Sequence, residues 1–513
     1  MRGDRAGIVR IGALVAAQLV LTGSMVAASE SSAAGEPEGV IRVAIAELPP
    51  ALADPAQHVG KPATNIWPAF YDGLTIISAD GDPEPALATE WEATSDSTWE
   101  FTLREGVTFS NGEPFDADAV VAAADNILFG YGSDGLVRSN LLPNVVEVNA
   151  VDEHVVEFVT EGPDPIMPKR VAQFYPLPPA YFDEVGPEGF AQEPIGTGPF
   201  AVTSWEPGRV EMEAFTDSWR PPRVERLEFI ELPDSTSRRQ ALLSGQVDIA
   251  LELDPADTSE LEAQGMTVNI AADPRLRMIA LFEENEDSPV HSREVRQALN
   301  YAIDKQALID TFVNGAAPVA TQVATSNSTG YNPELEPYPY DPDQARTLLA
   351  EAGFPDGFDM LIEVVGRTES DRAIYEAIAN YLADVGVDAE VRSIEFAEWR
   401  EKLFSAGWEG DGFSFSVAFD PLFDISRSWP NVTCWSETPF FCDDEMTPVQ
   451  DEAAAELDPD RRLELLQQIS AMMRDNPPGI LIDERVQVDG LSGIEGFNNP
   501  NLIVNWDELE LSG

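Results

Sequence analysis

The 513-residue chain is long enough for two or three domains, and 43% hydrophobic content with 25 Phe, 10 Trp and 10 Tyr supplies the cores, which excludes a disordered chain. Its 91 acidic residues against 31 basic ones give a formal charge of −60, a field that repels nucleic acid and anionic headgroups and excludes both as direct partners. The acidic residues are dispersed, which points to a solvated surface: either a halophile-type one whose self-repulsion is screened in molar salt, where the Debye length is ~3 Å, or that of a merely acidic extracytoplasmic protein.

Arg2, Arg5 and Arg10 precede an apolar run, Ile11 to Val20 and on through Leu21, with small residues at Val26-Ala27-Ala28 and Ser32-Ala33-Ala34. This is the pattern of a secretory signal peptide, too short in its apolar part to span a bilayer, so residues 1–34 read as signal and linker start. A Ser/Ala/Gly/Glu linker, Ser29 to Gly39, leads into a strand from Val40 to Ala46 that is apolar on both faces. The stretch from Pro85 reads as short and helix-like, followed by a Ser-Asp-Ser turn, a strand from Trp99 to Leu103 and the turn Asn111-Gly112. After Pro114 a helix starts at Asp116.

Arg238 to Gly245 reads as a helix closed by glycine and feeding a strand, Val247 to Leu251. Ser292 caps a helix with Val295, Ala298, Leu299, Ala302 and Ile303 on one face, ending near Asn314-Gly315. Asp341-Pro342 opens another, with Ala345, Leu348, Leu349 and Ala352 inward and Gly353 as its stop. A strand from Met360 to Val365, a helix from Asp371 to Val385 and a strand from Val387 to Val391 repeat the scheme, and Asp458-Pro459 opens the last long helix. Repeated strand–helix units predict α/β lobes with mainly parallel sheets.

Chemistry-bearing motifs are sparse. Gly130 to Gly135 matches GxGxxG by spacing but follows a helix instead of a strand, which argues for a loop over a dinucleotide site. His58, His154 and His291 are scattered, no serine sits in a GxSxG elbow, and paired carboxylates carry no information among 91 of them, so no enzyme is indicated. No metal site or cofactor is expected. The two cysteines, Cys434 and Cys442, read as one local disulfide in an exported protein; as metal ligands they lack the histidine that would help close a tetrahedral site.

Several runs together carry a resemblance. LATEWE, WEFTLREGVTFSNGEPF and DADAV lie between Leu87 and Val120, followed by PIGTGPFAVTSWEPG (Pro194 to Gly208) and LLSGQVDIA (Leu242 to Ala250). SREVRQALNYAIDKQALI (Ser292 to Ile309), YDPDQARTLLAEAGFPDGF (Tyr340 to Phe358), DPDRRLELLQQISAMMRDNPP (Asp458 to Pro478) and a closing GFNN complete the series. In order and spacing they resemble the family 5 (peptide/nickel-type) extracellular solute-binding proteins of ABC transporters, from about Val40 to the C-terminus.

The resemblance implies a two-lobed periplasmic-binding-protein fold (type II-like, cluster C) with a subdomain inserted in the first lobe. Lobe I would take 38–65, 190–275 and 480–513, the insert 66–189 and lobe II 276–479, with chain crossings near Glu283–Asp287 and Asn476-Pro477-Pro478. It implies a monomeric receptor that captures a small polar solute, foremost a di- or oligopeptide, and hands it to ABC permease subunits. A metal chelate, an opine or an oligosaccharide is the alternative cargo, and a secreted sensor or chaperone-like module the alternative role. Ser24 stands in Leu21-Thr22-Gly23-Ser24 where many relatives have a lipidation cysteine, so export without an N-terminal lipid anchor, to the periplasm or the exterior, is expected.

Expected ligand residues are Glu47 after the first strand, Asn65 and Trp67 at the start of the insert, and Arg367 where dipeptide binders place an arginine for the ligand carboxylate. Asp420 would take an ammonium, although Val417 stands at the position where peptide binders carry that aspartate. Trp408, Phe419 and Trp429, with Trp435, would form a stacking platform; ordinary packing under a long loop is the equal alternative.

Overall fold

A computed structural model describes residues 37–57, 61–130, 137, 141–366, 369–405, 407–418 and 422–512. Arg367, Phe419, Asp420, His58 and the signal-like segment lie outside the described residues. β1 (Val40–Ile45) opens the fold, and β2 (Thr75–Ile77) and β3 (Pro83–Pro85) form a small hairpin. Next come β4 (Ala88–Ser95), β5 (Thr98–Leu103), β6 (Val145–Asp152) and β7 (Val155–Thr160), which pair as a separate sheet in the order β4-β5-β7-β6. The expected helix-like stretch after Pro85 is therefore a strand: Ala88 to Ser95 pairs antiparallel with β5 across a two-residue turn, and this pairing overrides local helix propensity.

β8 (Phe200–Glu206), β9 (Arg209–Ala214), β10 (Arg226–Glu231) and β11 (Ile249–Leu253) continue the chain. They are followed by β12 (Thr267–Leu281), β13 (Phe358–Val364), β14 (Val387–Ser393), β15 (Gly412–Ala418) and β16 (Gly479–Leu491). With β1 they form one ten-stranded sheet, β14-β13-β15-β12-β16-β11-β1-β10-β9-β8. It is mixed, not mainly parallel. β1 runs parallel to β10 and β11, and β13 parallel to β14 and β15, whereas β12 and β16 are antiparallel to each other.

Those two long strands join the halves of the molecule. Thr267 to Ala272 pairs with β16 in the half containing β11 and β1, while Arg275 to Leu281 pairs with β15 in the other. The crossing is thus in mid-strand, between Ala272 and Leu276 opposite Val486 and Glu484, and not at Glu283–Asp287 or Asn476-Pro477-Pro478. Both of those segments sit inside the second half, tied together by buried Arg296, which bonds the Pro477 carbonyl at 2.9 Å and the Glu283 carboxylate at 3.0 Å.

Side-chain alternation along β12 builds two cores in that half. Ile279 and Leu281 pack on one face with Ile362, Ile480, Ile482 and the helices Arg293–Tyr301, Pro342–Glu351 and Glu369–Ala383. Leu276, Met278 and Ala280 pack on the other with Phe413, Trp429 and the helix Pro459–Asp475. Each fully buried Leu or Ile there contributes about 1.5–3 kcal/mol.

The helix starts follow their caps: the side chains of Asp116, Ser292, Asp341 and Asp458 each accept a first-turn backbone N–H. The helix from Ser292 stops at Tyr301, because Asp304 caps a second one, Lys305–Phe312. Cys434 and Cys442 are joined in a disulfide with Cα atoms 4.8 Å apart. Among the described residues no helix is long and apolar enough to cross a membrane.

Candidate functional site

The carboxyl ends of β1, β10 and β11 point from one side at the crossing of β12 and β16, and those of β13 and β15 point from the other. In open α/β sheets the space beyond such ends is where ligands bind. Here it holds a cavity of about 760 Å³, within the range of small-molecule sites.

A β-bulge places charge on its floor. Leu481 pairs with Met278 but Asp483 pairs with Arg277, so β16 carries one extra residue, Ile482, at this point. Beyond it the alternation is reversed, and Asp483, Arg485 and Gln487 share the cavity face with Arg277, while Glu484 turns to the other side and accepts from Ser326. Arg277 lies between Asp483 (Nε–Oδ1 3.0 Å) and Asp371 (Nη1–Oδ1 3.2 Å), and Arg485 reaches the same Asp371 oxygen at 3.6 Å. Burial pushes the Asp483 carboxyl up, against the pull of Arg277 and Arg485.

The opposite wall is built around Glu252 at the end of β11. Its φ of 56° is left-handed, an uncommon conformation for a residue with a side chain and one that persists where the surroundings impose it. They do so here. Arg238, on the helix Ser235–Leu243, donates to the carbonyls of Leu251 (2.9 Å), Glu252 (2.7 Å) and Leu232 (2.7 Å). The Glu252 N–H donates to Asp489 Oδ1 at 3.0 Å. Burial pushes Asp489 up to about 6, even though that N–H, Lys61 and Gln487 oppose it. The Glu252 carboxylate accepts from Asn65 Nδ2 at 2.7 Å and faces Lys61 Nζ at 3.6 Å, and Lys61 also donates to Gln487.

Of the expected ligand residues, Asn65 is buried behind the cavity wall, where it bonds Glu252 without itself being among the lining residues. Glu47 is exposed in the loop after β1 and is not among the lining residues. Trp67 is 1% exposed and packs edge-on to Tyr71 and Tyr175, ring centres 5.4 and 5.6 Å away. Trp408 stacks on Phe413 at 4.0 Å, near the amino end of β15 and away from the crossing, and Trp429 is fully buried edge-on to Trp435. Both tryptophans occupy packing positions, not a platform at the cavity.

The residues that sequence reasoning missed are Lys61, Glu252, Arg275, Arg277, Asp483 and Arg485. A signal was available. DPRLRMIAL and ILIDERVQV put several charges inside otherwise apolar strand runs, which is costly in a sheet unless the charges meet partners or a ligand.

Residues 82–429 match the family described as bacterial extracellular solute-binding proteins, family 5, middle. The chain is 29% identical over 436 residues to the dipeptide-binding protein of Escherichia coli K12, covering 78% of this chain and 80% of that one. It is 27% identical to the glutathione-binding protein GsiB of Salmonella typhimurium, covering 86% and 89%. Among solved structures it resembles HbpA2 from Haemophilus parasuis (TM-score 0.81, 25% identity, 92% of this chain and 100% of that one). It shares its fold with a dipeptide-binding protein from Pseudoalteromonas in complex with Met-Leu (TM-score 0.73, 20% identity, 92% and 100%). With well over half its length matched, and with two sheet halves joined by crossing strands around a charged cavity, the chain belongs to the family 5 bacterial extracellular solute-binding proteins.

Proposed function

We propose that this protein is the exported, monomeric capture component of an ABC importer and that its cargo is a short peptide. The observation that carries this reading is the cavity at the strand crossing, about 760 Å³ and lined by charges of both signs, as a zwitterionic ligand requires. The similarity to dipeptide- and glutathione-binding proteins supports the same cargo class. Asn65 would belong to this site, and Arg367 and Asp420 would complete it from the loops after β13 and β15.

Transport follows from closure of the two halves about β12 and β16. A ligand touching both halves populates the closed state only by its preference for it, and a hundredfold preference is worth ~2.7 kcal/mol. The permease then reads the closed form, and binding, not catalysis, is the work done.

Native mass spectrometry of freshly purified protein should show a retained peptide-sized ligand. Calorimetric titration with dipeptides, after unfolding and refolding to empty the cleft, should show saturable binding with a smaller radius of gyration in solution scattering. Retention of a sugar or a metal chelate, with no response to any peptide, would overturn the peptide reading.

A further inference from the structure

Basic side chains are concentrated in the cavity out of all proportion to their abundance. The chain has 31 basic and 91 acidic residues, yet seven of each line this one space. In a molecule whose surface field repels anions, this is a local exception. Arg275, Lys61 and Arg485 all line the cavity, and although burial pushes the Asp273 carboxyl up, these three cations together hold it below its usual range.

Their donors are not all spent on carboxylates. Arg485 makes one ion pair, the 3.6 Å contact to an Asp371 oxygen that Arg277 holds more closely, and no hydrogen bond among the described residues. A guanidinium offers five N–H donors in a planar fork suited to a carboxylate. Arg372, in the first turn of the helix beyond β13, donates to the Gly366 carbonyl at 3.1 Å and pairs with no carboxylate among the described residues. Lys61 approaches from the opposite half, where its ion pair to Glu252 is also long, at 3.6 Å.

We propose that Arg485, with Arg372 and Lys61, forms a subsite for an anionic side chain, so that the preferred ligands are short acidic peptides. This rests on the peptide reading and narrows it. An anion seated there touches the crossing strand, the helix of one half and the loop of the other, so it also favours closure.

The test is titration with alanyl-glutamate and alanyl-glutamine, which differ by one charge. The wild type should bind the acidic peptide about 10- to 100-fold tighter, the scale of one or two charge-assisted bonds. The ratio should collapse towards one in Arg485→Gln, fall less in Arg372→Gln and Lys61→Gln, and stay unchanged in Arg346→Gln on the outer surface. Arg485→Lys, which keeps the charge but loses the fork, should give an intermediate ratio and stands in should the glutamine variant misfold.

Equal affinity for the two peptides overturns the subsite and leaves the peptide reading intact. If neither peptide binds, the peptide reading fails, and glutarate against glutaramide then probes the subsite alone. Glutarate preference that is lost in Arg485→Gln sustains it, and absence of that preference overturns it.

Discussion

Asp424 and Asp371 are both almost wholly buried aspartates facing arginine, and they are held differently. Asp424 receives Arg462 in a two-pronged grip, 2.6 Å and 3.0 Å to its two oxygens, with Ser426 adding its N–H and hydroxyl. Burial opposes its charge, but Arg462 holds the carboxyl far below the usual range. Asp371 instead shares one oxygen between Arg277 and Arg485 at 3.2 and 3.6 Å, on the wall of an open cavity. The first cluster spends its donors on itself and fixes the packing under the loop that follows β15. The second keeps donor directions in reserve, which suits a surface that waits for a ligand.

The sharpest way to break this contrast is Asp424→Ala. It leaves Arg462 buried without its partner and should cost about 3–5 kcal/mol in denaturant unfolding. A loss below ~1 kcal/mol would show that the pair is not scaffold.

The next effect is a pH dependence at the same place. Lys169, in the short helix Met167–Arg170, donates to Thr329 Oγ1 at 2.6 Å and to the Phe423 carbonyl at 3.2 Å, beside Asp424. Burial lowers its pKa from 10.5 to about 8, with Asp424 opposing. Because the folded value lies below the unfolded one, the unfolded chain binds the extra proton between these limits and stability rises with pH across them. Relative to Lys169→Met, the wild type should gain up to ~3 kcal/mol from pH 8 to 10.5. A flat difference would mean that the ammonium is well solvated.

The smallest effect separates surface from interior. The net charge of −60 predicts that the thermal midpoint rises between ~0.1 and ~2 M KCl, as the Debye length falls from ~10 Å to a few Å. The gap between wild type and Asp424→Ala should stay nearly constant, since a dry pair is screened little. A gap that closes with salt would place that pair in contact with solvent.

What the sequence determined by itself is local and periodic. Asp116, Ser292, Asp341 and Asp458 marked helix starts because a short polar side chain before an apolar stripe has one favourable use, to accept the first free N–H groups. The motif runs marked the family, and Cys434 with Cys442 marked the disulfide, because eight residues of separation leave little choice. The cavity was not legible. Strict alternation from Ile480 would put Asp483, Arg485 and Gln487 on the face opposite Ile482, and only pairing with β12 reveals the bulge that turns them to the side of Arg277 and into the cleft. Trp408 and Trp429 read equally as a ligand platform or as packing for the same reason: an aromatic ring looks alike in sequence whether it meets Phe413 or a solute. Register and facing depend on which strand lies alongside, and that partner is hundreds of residues away in the chain; only the tertiary structure could decide it.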